Sequence, residues 1–253
     1  MENNLLFIAN WKMNNAYADL VSYFNIFLPL YNQTKPVNDV VFLPPFTLLY
    51  LIKEILKATN LKWGAQNFYY ESKGAFTGEI SALMIKDTGS TYVLIGHSER
   101  RKYFKENSQI IANKLHKAFS ENIIPIVCVG ETLEERKSGK TFSVLANQMK
   151  PILKTYQNFI NKEIVVAYEP VWAIGTGVNA TIEEIKESHS FILSLFLKQS
   201  WVNDSNIKIV YGGSIDSKIT PAIVSLDVVN GCLVGGASLK PEEFIKIVNT
   251  IRS

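Results

Sequence analysis

The sequence predicts an α/β fold in which short buried strands alternate with helices along the chain. Apolar, β-branched runs recur eight times without the polar alternation of half-exposed strands, which is typical of parallel strands buried on both faces. Stretches with helical spacing of apolar residues lie between these runs. Eight strand–helix units in 253 residues match a (β/α)8 barrel, with eight parallel strands and an outer ring of helices.

The predicted strands follow one another at intervals that leave room for a helix in each gap. They are residues 5–9, 40–43, 61–64, 92–95, 124–129, 164–168, 207–211 and 232–234. A doubly wound open sheet is built from the same units, so counting them does not exclude it. The open sheet stays the alternative fold.

The gaps between these runs carry helix signals. Between Leu20 and Leu28 the apolar residues fall at i, i+4, i+7 and i+8, and between Phe244 and Ile251 they fall at i, i+3, i+4 and i+7. Thr181 and Glu184 form a capping box that predicts the start of another helix. Since no linker-like segment or shift in composition divides the chain, we expect residues 1–253 to form a single domain.

Composition excludes several classes of protein. With 47% hydrophobic and 19% charged residues, the chain is too apolar for a disordered protein. A scattered net charge of +3 gives no reason to expect a nucleic-acid partner. The two cysteines, Cys128 and Cys232, are too few for a disulfide framework. No apolar stretch reaches the ~18 residues of a membrane span or resembles a secretory signal, so we expect a cytoplasmic protein without membrane association.

Three titratable side chains follow predicted strands, where the reactive groups of a (β/α)8 barrel lie. Lys12 follows the first strand, His97 the fourth and Glu169 the sixth. Each position by itself also allows a structural interpretation: a solvated loop lysine, a packed histidine and a glutamate in an ion pair at the rim. Partial desolvation would raise the pKa of Glu169 and make it a better base. The other histidines, His116 and His189, fall in helical patterns, and neither is expected to be catalytic.

Glycine pairs follow the seventh and eighth strands, at residues 212–213 and 235–236. Glycine exposes backbone N–H groups and permits close approach of a phosphate, and barrels often bind phosphate at this point. The segment 170–177 is apolar, with proline at one end and glycine at the other. It predicts a rigid lid with hinges, and a loop packed permanently on the surface is the alternative.

No metal or cofactor motif accompanies these groups. Neither cysteine has a His or Cys neighbour at ligand spacing, and no Gly-x-Gly-x-x-Gly or P-loop motif is present, so we expect no metal and no cofactor. A lysine, a histidine and a glutamate around one barrel mouth, with a phosphate site beside them, are typical of proton abstraction next to a carbonyl. The substrate would be a small phosphorylated molecule.

At six places the sequence resembles motifs of the triosephosphate isomerase family. The motifs occupy residues 10–14, 74–79, 95–101, 167–177, 211–214 and 233–239, in the family's order. The resemblance covers essentially the whole chain, and the longest motif spans eleven residues. It implies the TIM barrel fold and an intramolecular aldose–ketose isomerase of glycolysis and gluconeogenesis.

The resemblance also implies a role for each reacting residue. Glu169 would be the base that moves a proton between C1 and C2 of dihydroxyacetone phosphate and glyceraldehyde 3-phosphate. His97 would act as a neutral electrophile on the carbonyl and enediolate oxygens, and Lys12 would place its cation on the developing oxyanion. Asn10 would donate a hydrogen bond beside Lys12, and Glu99 would pair with Lys12.

The same resemblance implies how the phosphate and a second subunit are bound. Backbone N–H groups of four residues would hold the phosphate: Gly175, Ser214, Gly235 and Gly236. The lid 170–177 would close over the substrate and exclude water. Thr77 would lie on an arm that docks into a second subunit, so a homodimer is expected.

The chain departs from the family's usual motifs outside the reacting set. Asn230 stands where aspartate is frequent and would affect the support of strand eight. Ala82 replaces a common proline after the docking arm, and residues 178–179 replace a frequent Lys-Thr after the lid. Two other functions stay open as alternatives: a barrel enzyme for a larger sugar phosphate, and a non-catalytic binding or surface-adhesion protein.

Overall fold

The chain forms a closed barrel of eight parallel strands in the computed structural model, which describes residues 4–174 and 179–252. The strands follow chain order around the barrel, and the eighth pairs with the first. They are β1 (Leu6–Asn10), β2 (Asp39–Leu43), β3 (Lys62–Ala65), β4 (Tyr92–Ile95), β5 (Ile124–Val129), β6 (Ile164–Tyr168), β7 (Ile207–Tyr211) and β8 (Gly231–Val234).

Helices fill the gaps between the strands and cover the outside of the barrel. The described helices are α1 (Tyr17–Thr34), α2 (Leu49–Leu56), α3 (Ala82–Asp87), α4 (Ser98–Tyr103), α5 (Ser108–Ser120), α6 (Leu133–Lys137), α7 (Thr141–Tyr156), α8 (Ile182–Leu197), α9 (Thr220–Val224) and α10 (Pro241–Val248). Short 3₁₀ turns occupy Phe46–Leu48, Val171–Ala173, Asp204–Asn206 and Gly236–Leu239. Within residues 4–174 and 179–252, no helix is both long and apolar enough to cross a membrane.

Closure confirms the predicted barrel and excludes the open sheet. β4 to β7 have the predicted bounds, and the other four strands differ by one residue at one or both ends. Polar residues account for two of these differences, because Asp39 at the start of β2 and Asn10 at the end of β1 both pair in register. The Nζ of Lys62 lies 3.2 Å from Oδ1 of Asp39. The ladder thus includes polar residues that a search for apolar runs leaves out.

The core has two layers, which explains why the strands carry no polar alternation. In β1, Leu6 and Ile8 belong to the cluster inside the barrel, while Phe7 and Ala9 belong to the cluster shared with the helices. All four are fully buried. Since both faces of a strand are covered in this way, polar side chains are left to the strand ends.

Asn230 strengthens the weakest pairing of the barrel. β7 and β8 share a single residue pair, Tyr211 with Cys232. The N–H of Asn230 donates to Ile209 O at 2.7 Å, and the N–H of Ile209 donates to Asn230 Oδ1 at 2.7 Å. Asparagine at this position therefore does support strand eight through its side chain and its backbone.

His189 lies inside α8 and is fully buried, as expected of a packed histidine. Its Nδ1 lies 3.2 Å from Val228 O, and its ring packs against those of Tyr168 and Tyr211 at centroid distances of 5.8 and 6.4 Å. Burial lowers the pKa of His189 to about 4, although its contact with Val228 acts in the opposite direction. The folded protein therefore keeps this imidazole neutral down to about pH 4.

We expect His189 to make the free energy of unfolding fall as the pH is lowered. The unfolded chain protonates this residue near the ordinary pKa of about 6.5, whereas the folded chain does so only near a pKa of about 4. The stabilisation is complete above pH ~6.5 and is lost as the pH falls toward ~4, by roughly 3 kcal/mol in total.

Urea unfolding of the wild type and His189→Gln, from neutral pH to acid, measures this dependence. Glutamine keeps an amide donor for Val228 O but does not titrate. The difference in stability between the two proteins should change with pH. A difference that stays constant would show that His189 is not responsible.

Candidate active site

The carboxyl ends of the strands bring the predicted side chains to one cavity of about 250 Å³. Asn10 ends β1 and Lys12 follows it, His97 lies between β4 and α4, and Glu169 directly follows β6. The segments after β7 and β8 complete the wall. The lining residues are Asn10, Lys12, His97, Glu169, Ile174, Gly212, Gly213, Ser214, Ile215, Leu233, Gly235, Gly236 and Ala237.

Lys12 has a left-handed backbone, with φ 54°, a region that costs a non-glycine residue roughly 1–3 kcal/mol. Two side chains hold it there. Asn10 Oδ1 accepts the Lys12 N–H at 3.1 Å, and Gln66 Nε2 donates to Lys12 O at 2.8 Å. The Lys12 ammonium donates to Glu99 Oε1 at 2.7 Å, so the ion pair implied by the resemblance is present, and Glu99 fixes the cation at the cavity wall.

His97 is buried and contacts two glutamates. Its Nδ1 accepts the Glu99 N–H at 3.2 Å, and its Nε2 lies 2.9 Å from Glu169 Oε1. Because an accepting Nδ1 carries no proton, this hydrogen-bond pattern assigns the proton to Nε2, which donates to Glu169. Burial lowers the pKa of His97, but the Glu169 carboxylate and then Glu99 raise it above its ordinary value. The Glu99 N–H opposes a second proton, since an imidazolium has no lone pair at Nδ1.

Glu169 is buried and has a partner for each carboxylate oxygen. Oε1 contacts His97, and Oε2 accepts the Ser98 N–H at 3.0 Å. Burial acts to raise the pKa of Glu169, but His97, the Ser98 N–H and Lys12 outweigh it and hold the pKa below its ordinary value. The expectation of a raised pKa is therefore wrong for this arrangement: desolvation acts in the expected direction, but the donors that stabilise the charged form outweigh it.

The wall after β7 and β8 is open but not wholly free of internal contacts. Ser214 lines the cavity, yet its N–H and its hydroxyl both donate to Ala173 O, at 3.1 and 2.5 Å. A Cβ added at Gly236 would meet no atom within 4 Å, and one at Gly235 would lie 3.8 Å from Cε of Lys12. Gly175, the fourth expected phosphate ligand, lies outside the described residues.

The first part of the predicted lid is anchored to Glu131, a residue that sequence analysis missed. Glu131 is fully buried. Its backbone O accepts the Val171 N–H at 3.0 Å, and its Oε1 accepts from Trp172 Nε1 at 3.0 Å. The carboxylate also accepts from Tyr168 Oη at 3.1 Å and pairs with Arg136 at 3.2 Å. Glu131 follows β5 after one glycine, so the same strand-end pattern could have indicated it.

Thr77 does not line the cavity and lies in the exposed segment 74–79. Ala82 begins α3 in place of the frequent proline, and Ser81 caps this helix by accepting a hydrogen bond from Met84 N. The end of the arm is thus held by a side-chain cap. Residues 175–178, which include the end of the lid and the departure at position 178, lie outside the described residues.

Comparison with known proteins agrees with this arrangement of motifs. The family model described as triosephosphate isomerase matches residues 5–251. Triosephosphate isomerase of Aquifex aeolicus is 44% identical over 243 residues, covering 96% of this chain and 98% of that protein. Those of Thermodesulfovibrio yellowstonii and Clostridium tetani are 44% and 45% identical over 244 residues, each covering 95% of this chain, and 97% and 94% of the two proteins. The chain therefore belongs to the triosephosphate isomerase family.

Proposed function

We propose that this enzyme interconverts dihydroxyacetone phosphate and glyceraldehyde 3-phosphate by moving a proton between C1 and C2 through an enediolate. The observation that carries the proposal is the convergence of a carboxylate, an imidazole and an ammonium on one cavity with a glycine-lined wall. A cavity of about 250 Å³ is smaller than the roughly 300–1,000 Å³ pockets of drug-sized ligands. It suits a small substrate.

Glu169 is proposed as the base that takes and returns the proton. Its low pKa in the resting arrangement keeps it ionised at neutral pH. To reach a substrate carbon the carboxylate has to leave His97 and Ser98, which lower its pKa more than Lys12 does. Burial would then act with less opposition, so the carboxylate becomes a stronger base as it turns to the substrate.

His97 and Lys12 are proposed to stabilise the charge that develops on oxygen. Once Glu169 has left, the Nε2–H of His97 can donate to the carbonyl and then to the enediolate oxygens. The Lys12 ammonium, fixed by Glu99, supplies a preorganised positive charge beside them. The side-chain oxygen of Asn10 is occupied by the Lys12 N–H, which leaves the amide N–H groups of Asn10 as donors for the substrate.

The phosphate is proposed to bind at the wall formed by Ser214, Gly235 and Gly236, with Gly175 as a further ligand. The short 3₁₀ turn that starts at Gly236 presents backbone N–H groups at its N-terminus. Its glycines leave room for close approach of the phosphate oxygens. Ser214 can contribute its N–H only if the contact with Ala173 O opens.

A homodimer is proposed from the exposed arm that carries Thr77 and from large apolar side chains that are exposed on the single chain. Met13 is 96% exposed next to Lys12, and Phe76 and Phe104 are 40% and 64% exposed. Large apolar side chains left in water favour a partner surface. Sedimentation equilibrium should give twice the 28.5 kDa chain mass, and a single-chain mass at micromolar concentration would contradict the dimer.

A coupled assay tests the proposed reaction. The purified chain should turn over glyceraldehyde 3-phosphate, and a phosphoglycolate-type inhibitor should compete with it, because it places a phosphate and a carboxylate where phosphate and enediolate are expected. Faster turnover of a pentose phosphate would favour an enzyme for larger sugar phosphates. Folded protein without isomerase activity would favour the non-catalytic alternative.

A further inference from the structure

The residue after β5 has no strand partner on the β4 side, and a helix supplies one instead. Register between β4 and β5 ends at Ile95 and Val127, three residues before Gly130. The N–H of Gly130 donates to Gln148 Oε1 at 2.8 Å, and Gln148 Nε2 donates to Gly130 O at 2.9 Å. One side chain of α7 thus satisfies both backbone groups, as a neighbouring strand would.

Gly130 also lies directly against the backbone of the proposed base. A Cβ at this position would come within 1.7 Å of Glu169 O. The Glu169 N–H donates to Val129 O at 2.8 Å, so two consecutive residues at the end of β5 contact the backbone of Glu169, one at its N–H and one at its carbonyl oxygen. The position of Gly130 therefore determines where the backbone of Glu169 lies.

The side of Gly130 that faces Gln148 borders a cavity and is not closely packed. A second cavity, of about 360 Å³, borders Gly130, Gln148 and Glu169 together with Gly96 and Cys128. Open space of this size leaves the backbone free to shift unless a directional contact restrains it. The two hydrogen bonds from Gln148 supply that restraint.

We propose that Gln148 is a positioning residue for Glu169. Gln148 holds both backbone groups of Gly130, and Gly130 in turn contacts the backbone of Glu169. Gln148 would thus fix the position of Glu169 without touching the substrate. The inference rests on the proposed role of Glu169. A displacement of about 1 Å in a reacting group can cost roughly 100-fold in rate.

Gln148→Met removes both hydrogen bonds and keeps a side chain of similar length. We expect kcat to fall about 10- to 100-fold, with KM for glyceraldehyde 3-phosphate within about threefold, because the phosphate wall lies on other strands. Gln199→Met is the matched control. It also removes a hydrogen bond to backbone, from Gln199 Nε2 to Leu195 O at 3.2 Å, but just after the end of α8, and it should leave kcat unchanged.

Gln148→Glu separates positioning from a general effect on folding. At neutral pH the introduced carboxylate faces Gly130 O and repels it, whereas the protonated acid restores a donor. Relative to wild type, kcat of this variant should rise as the pH is lowered. Active sites are counted by titration with a tight inhibitor, so that kcat refers to folded protein.

Three results, each with an active wild type, would overturn the inference and leave the proposed function intact. The first is a Gln148→Met variant with unimpaired kcat, and the second is a loss of activity in that variant that is fully explained by fewer folded active sites. The third is a Gln148→Glu variant with the pH profile of the wild type. An inactive wild type would overturn the proposed function, and the inference with it.

Discussion

Glu169→Gln should lower kcat about 10²–10⁴-fold and change KM for the triose phosphate much less. Glutamine has nearly the same shape and can still accept the Ser98 N–H, but it cannot take a proton from carbon. The Lys12 ammonium and the proposed phosphate site at Ser214, Gly235 and Gly236 are left in place, so substrate binding should persist. Steady-state kinetics with a coupled assay measure both constants.

The matched control for this variant is Glu183→Gln. Glu183 is exposed in the first turn of α8, away from the cavity. The same change of charge there should leave kcat unaltered. Near-wild-type turnover of the Glu169 variant, in protein with normal unfolding behaviour, would remove Glu169 from the role of base.

Gly130→Ala should damage both stability and activity. The new Cβ would lie 1.7 Å from Glu169 O, so the ends of β5 and β6 must move apart. Forced overpacking of this kind costs roughly 1–3 kcal/mol or more in the free energy of unfolding. If the base moves by about 1 Å, kcat falls a further 100-fold or so. Urea unfolding and steady-state kinetics on the same preparation measure the two effects.

Gly139→Ala distinguishes this clash from the loss of glycine itself. Gly139 has φ 69°, but a Cβ there would meet no atom within 4 Å. We expect about 1 kcal/mol of destabilisation from backbone strain and no change in kcat. Equal losses of activity in the two alanine variants would show that contact with Glu169 is not what makes position 130 sensitive.

The fold followed from sequence because its signal repeats locally. Buried runs such as β5 and β6 have the predicted bounds, since each is apolar from end to end. The prediction missed residues such as Asp39, which enters the ladder through its backbone while its side chain pairs with Lys62. A search for apolar runs does not detect a charged strand residue, even where an ion pair with the neighbouring strand allows it to join the sheet.

The candidate site was only partly accessible to the same reasoning. The strand-end pattern indicated Lys12, His97 and Glu169, and the family resemblance supplied their roles. The direction of the shift in the Glu169 pKa could not be predicted, because it depends on His97 and then on the Ser98 N–H, which donates to Glu169 across 71 residues of sequence. Gln148 was missed for a related reason: it lies on α7, 18 residues from Gly130, and belongs to no motif.

Within the cavity, the imidazole of His97 and the carboxylate of Glu169 satisfy one another. In the proposed reaction, the substrate therefore replaces an internal partner of each of these two groups. Removing either side chain leaves a buried polar atom of the other without this partner, so the proposed catalytic roles and the stability of the fold place the same requirement on these two positions. A selection for chains that merely fold well, applied without any substrate, would already tend to retain both residues.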